Sequence, residues 1–538
     1  RKHYPAYALD GFRGGAVNIV WLLHDTSFDV TSKAREVLRN ALFEMRFYSN
    51  KRHFPLALSG RHPDGKGALT PWLYGRMALL ESESGEIEID KEMAAAYMRL
   101  SRPKDTLYRY FLERGIKPER SPEGTHLYAY NASMSHRRGD WLLTVAGHNR
   151  YIWASEIYQN CNHYGRYLAH GSVQLQDRNT PLKSGFRQEG WDWCHIPGTT
   201  ALEIPMTEMK ANVLNVDEYS GYEEMLLSDE SYAGGVSHRG MNGLYAMKLH
   251  EHDKYNGSLR AHKSVFTFDN RVLCLGSDIE NQKEGGLHTT LFQSYVEEPS
   301  KVKVLVNGEA LTFPSEGDFQ APLHIVDPNG NSYFVKEGRV HIRMAHQHSL
   351  HEETDAPTEG DFCTAWIDHG STLKGGSYEY QLTVGDVSES RVEKLLCTST
   401  HHAAYDPITG ITAVAAFEAG ACPELTIVKS VSHPSLYMIS EQGERVVLSV
   451  ADPDLRLYEG EADVKFDSMG KRIERSVYSR EWLNNAPKES VLEVRLDGLW
   501  ELAEESEYCE FEHIEGGTIL KFRCKEAATR EVILKRVL

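Results

Sequence analysis

The hydrophobic pattern changes period once along the chain. Between Tyr7 and Gly115 apolar residues recur at helical spacing in ALDGFRGGAVNIVWLL, SKAREVLRNALFEMRFY, TPWLYGRMALLES, KEMAAAYMRL and DTLYRYFLERG, so each segment gathers its apolar side chains on one stripe. Asp29 through Ser32 precede the second segment and Asp90 the fourth; short oxygen-bearing side chains there cap the free N–H groups of a first turn. The spacing predicts four or five antiparallel helices joined by short loops. From Leu127 the text turns into short alternating runs such as WLLTVAG, SVFTF, RVLCLGS, KVKVLVNG, SYFVKEGRVHIRM, YEYQLTV and ITAVAAFEA, separated by NG, DPNG and GG turns. That pattern predicts antiparallel β-sandwiches. The fold class is therefore α+β and multidomain, with a helical region over residues 1–118, a central β-sandwich domain over 119–385 and a C-terminal β domain over 386–538. The second boundary is drawn at the polar stretch GDVSES. So few helices cannot cover their own amphipathic faces, which implies a larger helical layer completed by an N-terminal portion of the same protein or by a separate chain.

Composition narrows the function classes. The 538 residues are 41% hydrophobic and 25% charged, ordinary globular values, and no apolar run is long enough to cross a bilayer, so no membrane partner is expected. A formal net charge of -18 argues against nucleic acid as a partner, because phosphate affinity needs clustered Lys and Arg. It leaves room for an anionic sugar polymer in a local basic groove. The eight Cys are scattered singly with no CxxC pair, and the expectation is buried free thiols. The chain opens on RKHYPAY without an initiator Met, which reads as an interior segment of a longer protein.

Several stretches concentrate chemistry. NRYIWASEIYQNCNHYGRYLAHG, residues 149–171, gathers Glu156, His163, Arg166 and His170 among Tyr and Asn; a sandwich surface and a glycan-binding or catalytic surface both account for it. FPLALSGRHP sets Arg61 and His62 in a Gly/Pro turn, where an arginine caps a helix, forms an ion pair or serves a site. RQEGWDWCHIPGTT holds Glu189, Asp192, Trp191 and Trp193, the tryptophans reading first as core. HEHD, residues 250–253, and the strand pair His346 and His348 have metal-ligand chemistry but no second half at ligand spacing, and both read as surface polar clusters. Arg137 and Arg138 in SHRRGD read as a solvated turn or as positive potential for sulfates.

These stretches carry a resemblance. YPAY, LLHDTSF, YSN, LALSGRHP, WASEIY, HYGRYLAHG, QEGWDW, GTT, TTLFQ, PTEGDF, AWIDHG and SYEY occur in order over roughly the first 380 residues, and together they resemble the chondroitin sulfate ABC lyases within the wider glycosaminoglycan lyases. HYGRY and WASEIY favour the ABC branch over the chondroitin AC and hyaluronan branches, which remain the alternative. The resemblance implies the C-terminal part of an incomplete α/α toroid followed by large antiparallel β domains. It also implies secretion or a periplasmic location in bacteria, and a sulfated glycosaminoglycan substrate: chondroitin or dermatan sulfate, with hyaluronan as a further candidate. The implied reaction is β-elimination at a uronic acid, giving a 4,5-unsaturated product. On the matching motifs, Tyr7 transfers the proton, Arg61 stands near the leaving oxygen and Glu156 orients them; His3 and Arg166 are implied substrate contacts. The family histidine falls one position before Arg1, so it either precedes this chain or is replaced by His3. No cofactor is required by the sequence, while the resemblance allows a divalent cation, Ca or Mg, at no identified position. A glycoside hydrolase would need two facing carboxylates about 5–10 Å apart, and nothing pairs Glu156 with Glu189. A noncatalytic glycan-binding protein would explain the aromatics but not Tyr7, Arg61 and Glu156 together.

Overall fold

The computed structural model describes residues 11–24, 26–63, 68–79, 89–178, 180–213, 223–385, 391–460, 465–466, 468–469, 472–473 and 480–537. Tyr7 and His3 lie outside them, as does most of GDVSES. The helical region consists of Val17–Leu23, Ser32–Phe47, Pro71–Met77, Lys91–Leu100 and Thr106–Glu113. Two of these start at the expected caps. Thr31 accepts the N–H of Ala34 at 3.2 Å, and Asp90 accepts those of Glu92 and Met93, each at 3.0 Å, satisfying donors that a first turn leaves free. Leu42, Leu73, Tyr74, Met93 and Phe111 are fully buried in one core between the helices.

Among the described residues every strand pairing in the remainder is antiparallel, and the sheets pack as a stack in which alternate residues serve different cores. The nine-stranded sheet includes Asn242–His250, where Tyr245 and Met247 join a core with Ile342 and Met344 of a five-stranded sheet. Their neighbours Leu244 and Ala246 point the other way, into a second core with Ala413, Leu436 and Met438 of the seven-stranded sheet. Beyond that sheet, Val414 and Leu448 meet Leu492, Leu520 and Phe522 of another five-stranded sheet in a third core. The period of two that identifies a strand thus builds this stack, because each middle sheet is buried on both faces. All eight cysteines are free and, save half-buried Cys397, buried.

A four-stranded sheet of Gly124–Tyr128, Ser133–Arg138, Trp141–Ala146 and Ser172–Gln176 joins helices to stack. The join corrects one expectation: Arg137 is neither in a solvated turn nor facing sulfates, but fully buried. Its guanidinium donates to the carbonyls of Arg46, Phe47 and Ser49 at 3.2, 2.9 and 2.7 Å. Those carbonyls close helix Ser32–Phe47, where the last turn leaves its acceptors without intrahelical donors and the dipole favours a cation. Burial, with Arg99 and Arg46 nearby, pushes Arg137 down to about 9. HEHD is likewise no surface cluster, since His250, Glu251 and His252 are buried. His250 turns inward to bond the Gly257 carbonyl at 2.9 Å through Nε2.

Candidate active site

Arg61 is delivered by a loop of the helical region. A single 3₁₀ turn, Leu56–Leu58, is fully buried, and the chain reverses after it at Gly60, whose φ of +62° suits a residue without Cβ. The loop is fastened to the four-stranded sheet: Leu56 N donates to Gln174 Oε1 at 2.7 Å, and Asn50 Nδ2 donates to the carbonyls of Gln176 and Arg178 at 2.6 and 2.8 Å. From this anchored turn the Arg61 guanidinium donates to Glu156 Oε1 at 2.8 Å. Its central carbon lies over Tyr158, 4.0 Å from the ring centroid, a cation–π contact.

Glu156 comes from the β stack, 95 positions along the chain from Arg61, and is 5% exposed. Burial raises its carboxyl above the ordinary range, the larger effect, and Arg61 only partly offsets it. The backbone at Glu156 is held by Asn162, itself in the left-handed region at φ +59°, whose Nδ2 donates to Ser155 Oγ and the Glu156 carbonyl, both at 2.8 Å. Sequence reasoning found Arg61 and Glu156; the structure brings them together.

It missed the loop that closes this corner. Between strands Arg339–Leu350 and Pro357–Gly370, Glu353 bonds His62 Nδ1 at 3.0 Å, and the Glu352 carbonyl accepts the His163 N–H at 2.9 Å. Asp355 accepts from Tyr164 Oη at 2.7 Å and Lys210 Nζ at 2.6 Å and bonds His163 Nδ1 at 2.9 Å. Burial would raise Asp355, but Lys210, Tyr164 and His163 hold it down at about 2. The only local signal was the acidic run HEETD. His62, Glu352 and Glu353 bring their ligand atoms within 4.8 Å of one another beside Arg61, an imidazole and two carboxylates with the chemistry to hold a cation. Arg166 differs from its expected substrate contact. It is 2% exposed, packs its guanidinium 3.4 Å from the Tyr255 ring centroid and donates to the carbonyls of Glu208 and Met209 at 2.6 and 2.9 Å. Trp191 and Trp193 are core, at 1% and 0% exposure.

A short helical region followed by a stack of antiparallel sheets is the architecture of the super-sandwich lyases. Residues 123–395 match the model of polysaccharide lyase family 8, super-sandwich domain, and residues 1–107 match that of the lyase catalytic region. The chain belongs to polysaccharide lyase family 8. Among curated proteins it is 38% identical to the chondroitin sulfate ABC exolyase of Bacteroides thetaiotaomicron over 572 residues, covering 100% of this chain and 55% of that protein. It is 37% identical to the Proteus vulgaris chondroitin sulfate ABC exolyase, covering 93% of this chain and 51% of that protein. The chain spans about half the length of these relatives. The Paenibacillus xanthan lyase structure shares the fold, with a TM-score of 0.77 at 15% identity over 100% of this chain and 51% of that one.

Proposed function

We propose that the protein containing this chain is a chondroitin sulfate ABC-type lyase that cleaves chondroitin and dermatan sulfates by β-elimination, acting from chain ends as its two named relatives do. The observation that carries the reading is the Arg61–Glu156 pair, at 2.8 Å across the join between helical region and β stack. Elimination removes the proton at C5 of the uronate and expels the 4-linked oxygen, so one group must take a proton, one must give one, and positive charge must sit near the developing anion. Arg61 keeps its charge at any working pH. It would stabilise the leaving oxygen and favour the phenolate of a neighbouring tyrosine, whose unperturbed pKa of about 10 otherwise prevents it from acting as a base. Tyr7 is that tyrosine by motif. Glu156 and Tyr158 act as positioning residues that fix the direction of the Arg61 fork.

The divalent cation allowed by the resemblance fits His62, Glu352 and Glu353, whose carboxylates suit a hard ion. Bound there it would supply charge against the uronate carboxylate. Ile19, Leu22, Phe28 and Val37 are between 51% and 76% exposed in the helical region; in our reading further helices of the longer protein cover them and complete a toroid. A secreted or periplasmic location accords with an extracellular polymer as substrate.

The test mixes the full-length protein with chondroitin sulfate and follows ultraviolet absorbance of the unsaturated product. A hydrolase would release reducing ends without the chromophore and a binding module neither. Tyr7→Phe is expected to abolish turnover with binding retained; near-normal turnover overturns the mechanism. In Glu156→Gln the acid limb of kcat, which the raised Glu156 carboxyl places above the usual carboxylate range, disappears while KM stays close to normal.

A further inference from the structure

We propose that strands Arg339–Leu350 and Pro357–Gly370 carry a surface site for a transition-metal dication of the zinc type, with His346 Nε2, His348 Nδ1 and Glu359 Oε2 as ligands and Asp361 as the carboxylate that orients His346. His346 and His348 are two positions apart on one strand and share its solvent face, while Gln347 between them is buried. The ladder sets His346 directly opposite Asp361 and His348 directly opposite Glu359. The missing half of the ligand set therefore lies on the neighbouring strand, at positions fixed by register.

The distances discriminate between a hydrogen-bonded cluster and a metal triangle. His346 Nδ1 lies 2.8 Å from Asp361 Oδ1, a hydrogen bond that places the proton on Nδ1 and turns the Nε2 lone pair outward, the arrangement by which a second carboxylate orients a metal-binding imidazole. The other separations are longer: His346 Nε2 to Glu359 Oε2 is 3.6 Å, and His348 Nδ1 to the same oxygen is 3.7 Å. Both exceed hydrogen-bond length. Ligands at about 2.1 Å from a tetrahedral ion stand roughly 3.4 Å apart, so small rotations of exposed side chains suffice to close the triangle. All the ligand atoms already lie within 4.8 Å of one another. Two imidazoles and one carboxylate select zinc, cobalt, nickel or copper over calcium or magnesium, and the solvent side leaves a fourth position open to water or an anionic oxygen. The site sits on the strand that runs into the Glu352–Glu353 loop, so a bound ion would tie together the strands on which that loop stands.

The experiment uses the complete chain, tag-free and stripped with chelator, titrated with Co²⁺ as a visible probe and then with Zn²⁺ as competitor. The parent is expected to give a tetrahedral cobalt absorption band at one equivalent that Zn²⁺ displaces. His348→Ala, an exposed change checked for folding by circular dichroism, abolishes the band. Asp361→Asn weakens binding about 10–100-fold while keeping the band shape. An identical band in parent and His348→Ala would place the metal elsewhere and overturn the proposal, as would a parent that takes up no cobalt at millimolar concentration.

Discussion

The helical region and the β stack obey the same burial physics and reach different ends. In the stack, each middle sheet has a core on both faces: Leu244 and Ala246 serve one, Tyr245 and Met247 the other. Among the helices a single stripe is buried around Leu42, Tyr74 and Met93, while Ile19 at 51%, Leu22 at 65%, Phe28 at 76% and Leu112 at 51% remain open. A stack with internal alternation buries both faces of its middle sheets; the helical layer buries one stripe and leaves the other side open to solvent. The two regions meet where Arg61 crosses to Glu156, so the candidate site draws one member from a region buried on both faces and one from a region with an open apolar face.

The sharpest way to break this comparison is to make equivalent deletions on both sides of it. Phe266 is fully buried between the nine- and seven-stranded sheets, and Phe266→Ala is expected to cost about 3–5 kcal/mol through lost transfer energy and the cavity left behind. Leu22→Ala in this chain should fall within about 0.5 kcal/mol, as exposed changes do. Denaturant unfolding of both variants checks this. In the longer protein the Leu22 cost should rise toward core values; if it stays flat there, the helical face is not covered.

A smaller loss is expected at the join. Replacing Arg137 with Met keeps much of the side-chain volume but leaves three carbonyls at the end of helix Ser32–Phe47 without their donor. Unsatisfied buried acceptors cost about 1–3 kcal/mol each, and partial relaxation should bring the sum to about 3 kcal/mol. Hydrogen exchange localises it: amides of the helices lose protection before those of the nine-stranded sheet. Simultaneous loss in both regions would mean that the helices have no separate stability to lose.

The same comparison shows what the sequence could convey. Helices, caps and strands were legible because they rest on local spacing: Asp90 caps where expected, and the alternation of ITAVAAFEA becomes strand Ile411–Ala416. Arg61 and Glu156 were legible only through collinear motifs, since no spacing rule links residues 95 positions apart. What failed was polarity as a guide to exposure. Arg137 and HEHD read as surface because charged side chains usually are, yet Arg137 is buried where carbonyls from a distant segment accept from it, and His250, Glu251 and His252 are buried too, His250 bonding the nearby Gly257 carbonyl. His346 and His348 do lie on a solvent face as read, but the carboxylates opposite them are fixed by strand register, which the local pattern does not state.

The mildest effect should come from acid, and it should act on one side of the join alone. Asp355 fastens the loop behind Glu353 to Lys210, Tyr164 and His163 and is held at about 2, against about 3.9 in an unfolded chain. A depressed carboxyl stabilises the folded form fully above its unfolded value and loses that contribution as pH falls through its folded one, so the window lies between about 4 and 2. Because Asp355 is one-third exposed, solvent screening limits the contribution to no more than about 1 kcal/mol. Asp355→Asn should therefore lower stability slightly at neutral pH and remove the share of the acid dependence that falls in this window, read by denaturant midpoints at pH 5, 4, 3 and 2 in parent and variant. If the two profiles run parallel through that window, the loop is held by Glu352 and Glu353 rather than by Asp355. The corner that presents Glu156 to Arg61 would then owe its order to the same carboxylates proposed to hold a cation.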